Sequence, residues 1–323
     1  QWFQGQFQEL SYLQTLNLVS LIKSKQFRSI FFLLLKLGVL SLLIFFLHNR
    51  ISALPDGLKI PSTTHYDFLI LLIFLMPINI YIEWVKWNII LRDQTVGSQQ
   101  KLHSFLSGIV SGVITPAYAG NFLGRMLYFP RSTRKNIIIN TLASNSSQFI
   151  MSIFMGIFAL QIIYFNSLDF IVHICLLIIN LGLFLLFFYG DVLLEKFPSR
   201  YLKQISGVII SRKLRMQLLI LSFLRYCIFV IQFLLALMVF GVNFDMHILL
   251  WIMLMFGAIT VSPSVFMGKL IVRETVALSI LTLIGLPASA ILLAALSTWL
   301  LNQILPALTA TLLVKKRNQH AWV

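Results

Sequence analysis

Acidic residues are scarce in this sequence. Asp and Glu number ten in 323 residues, and charged residues of both signs make up 11%. A soluble domain carries about 25% charged residues, so the shortage excludes a soluble enzyme and a charge-rich disordered chain. Cys occurs twice. Cys175 and Cys227 both lie inside apolar runs, which excludes a disulfide framework and the paired spacing of a zinc site. The six His include His103, His173 and His247, scattered without ligand spacing, so no metal site is expected. Gly and Pro number 16 and 9, too few for a collagen-like fibre. Catalytic motifs are missing as well. There is no His-x-Glu pair, Gly-x-Ser-x-Gly elbow, phosphate loop, Asp-rich diphosphate motif or pair of carboxylates on one helix face. No cofactor is expected, and the chain does not read as an enzyme.

What is abundant is apolar. Such residues make up 59% of the chain, Phe alone occurs 28 times, and the mean hydropathy is +0.89. The apolar runs are continuous for roughly 15–25 residues, the length of a membrane-crossing helix. An outer-membrane barrel would alternate polar and apolar residues instead. The fold class is therefore an all-α polytopic membrane protein. The net charge of +15 then reads as basic loops held at the cytoplasmic leaflet, not as a nucleic-acid surface. The first residue is Gln, so the native start is expected to differ, and nothing in the sequence excludes a signal peptide.

Residues 1–28 read as an interfacial amphipathic segment ending in Lys23, Lys25 and Arg28. A transmembrane domain over 29–317 and a cytoplasmic tail over 318–323 follow. Spans are expected over 29–47, 68–91, 137–165, 168–190, 216–241 and 289–314. Two further apolar stretches are broken. Residues 102–128 are interrupted at Thr115-Pro116-Ala117-Tyr118-Ala119-Gly120-Asn121, and 248–285 at Ser262-Pro263-Ser264 and again by Gly268, Lys269, Arg273 and Glu274. A basic, amphipathic connection is expected over 191–215.

Charge orients these pieces. Lys and Arg cluster at 23–28, 92–101, 131–135, 196–215 and 315–317, whereas 48–67 holds Arg50 and Lys59, and 166–167 and 242–247 hold none. The positive-inside rule places the first set in the cytoplasm. If 102–128 crossed once, the richest basic junction would fall outside. All basic junctions fall inside if 102–128 enters from the cytoplasm, turns and returns, while 248–285 does the same from outside. The reading is six full spans and two re-entrant hairpins, with both termini cytoplasmic in the inner membrane. Two very short crossings in place of the second hairpin have the same parity. The hairpins echo each other: Pro116 to Gly120 is four residues and Pro263 to Gly268 five, and Pro116 to Arg125 is nine and Pro263 to Arg273 ten. Opposite openings make this an inverted repeat, about 68–190 and 216–314, the plan of many transporters.

Broken helices at membrane depth are tolerated where they are buried in protein or line a wet cavity. Pro116 and Pro263 end one half-helix and suit the start of the next. Gly120 and Gly268 permit close approach of backbone or ligand. Arg125, Arg273 and Lys269 then supply charge for an anionic group, phosphate above all. The alternative is that each Arg pairs with a nearby carboxylate, Arg273 with Glu274 or Glu83, and holds the bundle together. Glu83 and Lys86 lie three apart between Trp84 and Trp87; they read as an interfacial ion pair with aromatic anchors or as part of the site. Arg225 either lines the cavity or pairs with a carboxylate. Ser144-Asn145-Ser146-Ser147-Gln148 either lines a polar path or forms hydrogen bonds between helices.

Two stretches resemble the flippase-like membrane domain of lysylphosphatidylglycerol synthetases, the multiple peptide resistance factor, and its free-standing relatives. One runs from Ser111 to Tyr128, with Pro116, Gly120 and Arg125 in the order of that family's Pro, Gly-Glu and Arg. The other runs from Ser262 to Glu274 and ends in Val272-Arg273-Glu274. Trp84-Val85-Lys86-Trp87 also fits, with Lys where Arg is usual. The resemblance covers about 30–315 and lacks the aminoacyl-transferase domain of fused members. It implies a lipid translocase; together with the residues read above, the expected substrate contacts are Pro116, Gly120, Asn121, Arg125, Pro263, Gly268, Lys269, Arg273, Glu274, Arg225, Glu83 and Lys86. The expected partner is a phospholipid or a polyprenyl-phosphate lipid, with a second copy or an envelope-biosynthesis protein as a further one. Asn121 stands where that family usually has Glu, and Lys269 and Ile271 where an acid or Gly is common, which shifts the site towards anions. The other functions compatible with the sequence are an accessory lipid-binding subunit and an intramembrane lipid-modifying enzyme.

Overall fold

The computed structural model describes residues 65–92, 94, 96–115, 120–195, 211–262 and 268–314. The interfacial segment and first span expected over 1–47, the basic connection over 196–210, Pro116, Pro263 and the basic end at 315–317 lie outside these residues. Every regular element described is helical. They are α1 (Tyr66–Ile90), α2 (Ser98–Ile114), α3 (Gly120–Met126), α4 (Arg131–Ile163), α5 (Phe170–Glu195), α6 (Arg212–Val239), α7 (Met246–Val261), α8 (Gly268–Leu281), α9 (Ala288–Trp299) and α10 (Leu305–Leu313). A 3-10 turn, Thr282–Ile284, follows α8, and a π segment, Leu300–Ile304, joins α9 to α10.

Five helices are long and apolar enough to cross a membrane: Asp67–Ile90, Arg131–Ile163, Phe170–Gly190, Arg212–Val239 and Ala288–Leu313. This is a helical membrane protein. α5 leaves Phe170, Ile171, Leu177, Ile178 and Leu181 exposed, a surface that acyl chains solvate and water does not. α4 begins six residues before the apolar run expected from Ile137. The helix takes in a polar first stretch that holds Arg131, Arg134 and Lys135, because backbone hydrogen bonding does not stop where the apolar run does.

The helices alternate in direction. α1 and α6 run antiparallel: the Gln232 amide donates to the Leu72 carbonyl at 3.5 Å, Arg225 meets Asn79, and Lys86 meets Ser222. α5 returns beside α6, where Arg215 donates to the Phe187 carbonyl and Arg212 lies over the Tyr189 ring at 4.9 Å. The Tyr164 and Trp251 rings meet edge to face at 6.2 Å, so the end of α4 adjoins the start of α7. Arg92, Lys101, Arg131, Arg134, Lys135, Arg212, Lys213 and Arg215 thereby share one end of the bundle. Asp67, Asp169 and Asp245 lie on helix ends at the other.

α2 ends at Ile114, and α3 folds back against it. The Ser111 hydroxyl donates to the Gly120 carbonyl at 2.6 Å, and the Gly120 N–H donates to the Thr115 hydroxyl at 2.5 Å. A Cβ on Gly120 would lie 2.1 Å from the Ser111 carbonyl oxygen, and one on Gly124 2.5 Å from that of Ser107. Small residues four apart let the two backbones touch, which explains how a seven-residue helix is held at all. α7 and α8 form the second folded pair. α7 ends at Val261, and Arg273 of α8 returns over the Phe256 ring at 6.0 Å. Each pair also packs on the other half of the chain: α2 on α10, and α7 on α4. The α4–α7 crossing is close, because a Cβ on Gly156 would lie 2.7 Å from the Gly257 Cα.

Candidate functional site

At the centre of the bundle α1 carries a carboxylate, Glu83, that three cations approach. Arg125 of α3 donates from Nη2 to Oε1 at 2.9 Å, and Arg225 of α6 donates from Nη1 to Oε2 at 2.6 Å. Lys86 Nζ lies 3.9 Å from Oε2. The Lys86 ammonium also donates to the Ser144 carbonyl at 3.1 Å and the Ser222 hydroxyl at 2.9 Å. Charges at this depth persist only where they are paired and hydrogen-bonded. The spacing that brings them together is helical: Asn79, Glu83 and Lys86 fall on one face of α1 at i, i+4 and i+7.

The arginines also rest on aromatic rings. The Arg125 guanidinium lies 4.5 Å from the Trp87 centroid and 5.6 Å from that of Phe105. Arg225 lies 5.2 Å from Phe229, and Arg273 6.0 Å from Phe256. Such stacking stabilises a desolvated cation by roughly 0.5–2 kcal/mol.

Beside this cluster is a cavity of about 580 Å³. Glu83, Lys86, Asn121, Arg125, Arg225 and Arg273 all line it, so six of the residues singled out from sequence converge on one space. Arg125 is 1% exposed, whereas the Arg225 side chain is 25% exposed. Arg273 is half-buried and donates to the Thr298 hydroxyl. Gly120 faces the Ser111 backbone, and Glu274 is buried at 6% exposure; neither lines the cavity. Gly268 opens α8. The side chain of Lys269, like Pro116 and Pro263, lies outside the described residues.

The 144–148 patch divides by helix face. Ser144 and Ser147 face α1 and α6, where the Ser147 and Ser222 hydroxyls lie 2.7 Å apart. Asn145, Ser146 and Gln148 line the cavity, with Ser152 one turn on. Helical phase separates the two sets. Glu83 and Lys86 pair at 3.9 Å, and both are buried in the cluster.

Sequence reasoning missed Asn79, Gln232, Asn302 and Gln303. Asn79 accepts from Arg225 Nε at 2.8 Å and donates to Asn302 Oδ1 at 2.7 Å. Asn302 Nδ2 in turn donates to Gln232 Oε1 at 2.9 Å. Asn302 and Gln303 lie in the π segment, just before Pro306, which has no N–H to give to the preceding turn. π turns are frequent at functional sites, and Asn-Gln followed by Pro inside an apolar span is the signal that could have found this one.

No family model, curated protein or solved structure matches the chain.

Proposed function

We propose that this protein is a lipid translocase that moves a lipid with an anionic, phosphate-bearing headgroup across the cytoplasmic membrane. The headgroup enters the cavity between the two folded helix pairs while the acyl chains remain in lipid. The pairs act as re-entrant hairpins of an inverted repeat that opens alternately to the two sides, with six full spans and cytoplasmic termini. The observation that carries this reading is the charge balance at the cavity: Lys86, Arg125, Arg225 and Arg273 line it, with Glu83 as the one carboxylate among the described residues that do. Arg225 and Arg273, held on rings at the cavity wall, suit a phosphate, which accepts two parallel hydrogen bonds from a guanidinium. The exchanged packing of α2 on α10 and α7 on α4 supports the repeat, and the basic end of the bundle supports its orientation. The resemblance of 111–128 and 262–274 to flippase-like domains favours translocation over a purely accessory lipid-binding role.

The test is reconstitution of the purified chain in liposomes with trace fluorescent anionic and zwitterionic lipids. The account expects protein-dependent movement of the anionic lipid between leaflets. Binding without movement would favour the accessory role. Cysteine labelling in intact cells checks the orientation: positions 166 and 243 are expected to react from outside and position 211 to stay protected.

A further inference from the structure

The cavity meets the outer surface of the bundle on α4. Leu142, Asn145, Ser146 and Phe149 line the cavity, and all four are exposed, Leu142 and Phe149 by 48% and 46%. They recur at i, i+3, i+4 and i+7, so they form one face of the helix and mark where the cavity opens sideways. The make-up of this face is unlike that of its neighbour. On α5 no exposed residue between Phe170 and Leu186 is polar. On α4 an amide and a hydroxyl stand outward between a Leu and a Phe. Ser146 lies eleven residues beyond Lys135, about 16 Å along a helix axis. That is about half of a hydrocarbon layer roughly 30 Å thick, so with Lys135 at the interface the polar pair is near the midplane. Polar side chains facing acyl chains at that depth are costly, and they usually border a polar cavity.

The face is open in one direction. Towards the start of α4 the same helical phase runs through Ile138 to Lys135 and Arg131, both exposed and basic. Towards the end it reaches Gly156, where a Cβ would lie 2.7 Å from the Gly257 Cα, so α7 covers it there.

Resting on the translocase reading, we infer that this face of α4 is the lateral portal of the cavity, and that it admits an anionic phospholipid from the leaflet at the basic end of the bundle. Arg131 and Lys135 attract the phosphate at the mouth. Leu142 and Phe149 border the acyl chains. Asn145 and Ser146 give the passing headgroup hydrogen bonds in place of water. A second copy of the chain seated here would also partner Asn145 and Ser146. It would not account for the continuity of the face with a cavity lined by Arg225 and Arg273.

Photo-crosslinking of the full chain in proteoliposomes tests the portal. p-Benzoylphenylalanine replaces Phe149 or, as an exposed reference on α5, Ile178. The membrane carries equal amounts of phosphatidylglycerol and phosphatidylcholine with the same tagged acyl chain. Position 149 is expected to label phosphatidylglycerol about tenfold over phosphatidylcholine, the contribution of one charge-assisted bond in the cavity, and position 178 to label both equally. Arg273→Ala is expected to narrow the preference at 149. Ser146→Trp fills the portal from an exposed position, and overpacking a passage raises its barrier. Movement of phosphatidylglycerol per folded molecule is therefore expected to fall about tenfold or more, with Ile178→Trp unchanged. Equal labelling of the two lipids at 149, a crosslink there to protein in place of lipid, or movement in Ser146→Trp at the rate of the unaltered chain would overturn the inference and leave the translocase reading standing. Preferential labelling at 149 without movement by the unaltered chain would support the portal and contradict translocation.

Discussion

Arg125 and Arg273 follow their Pro breaks by nine and ten residues, and the two halves of the protein use them differently. Arg125 is sealed. It is 1% exposed, paired with Glu83 at 2.9 Å and stacked on Trp87. Arg273 is half-buried, donates to a neutral hydroxyl on Thr298, and keeps an Nε without a hydrogen-bond partner. The first half thus spends its guanidinium on a carboxylate from α1. The second sets its own at the cavity wall, bonded to Thr298. A matched distance from a Pro in the sequence does not imply a matched role; the partner supplied by the neighbouring helix decides it.

The difference can be broken from its sealed side first. Removing Arg125 as Arg125→Ala leaves Glu83 buried with fewer partners and opens a void against Trp87. A loss of about 3–5 kcal/mol is expected, seen as a lower folded yield and melting temperature in detergent. Gly257→Leu comes next, because its side chain has no room at the α4–α7 crossing beside Gly156. Overpacking of this kind costs about 1–3 kcal/mol, and thermal unfolding measures it. Asn302→Leu removes the bridge between Asn79 and Gln232. Interhelical hydrogen bonds in membranes contribute on average about 0.6 kcal/mol and at most about 1.7, so the melting temperature should fall less than for Gly257→Leu. Smallest of all is the expected stability change for Arg273→Lys, about 0.5 kcal/mol, the low end for one net hydrogen bond. The charge is kept and the partner lost on Thr298 is neutral, although a point charge cannot reproduce the two parallel bonds of a guanidinium. A drop in stability equal to that of Arg125→Ala would erase the distinction between the two arginines.

The helices themselves were legible because each apolar run is long and bounded by Lys, Arg or turn residues. The break at 115–120 was legible from Pro116 and Gly120, although Gly120 serves backbone contact with Ser111. The residues of the cavity were visible one by one as rare polar groups in apolar runs. Their pairing was not, because Glu83 meets partners 42 and 142 positions away, and local spacing carries no information on such contacts. Asn79 and Asn302 were overlooked as single neutral residues. The shift of helical phase made by the π segment, which turns Asn302 and Gln303 to the cavity, has no periodic signature.

The central claim is that the cavity binds an anionic headgroup through the guanidinium groups it leaves available. Its most direct test is the rate of anionic-lipid movement in liposomes for Arg273→Ala, normalised to folded protein. Each charge-assisted bond contributes about 1.5–3 kcal/mol, so the account predicts a fall of roughly 10- to 150-fold per folded molecule, with Arg273→Lys intermediate. A specific rate equal to that of the unaltered chain would contradict it.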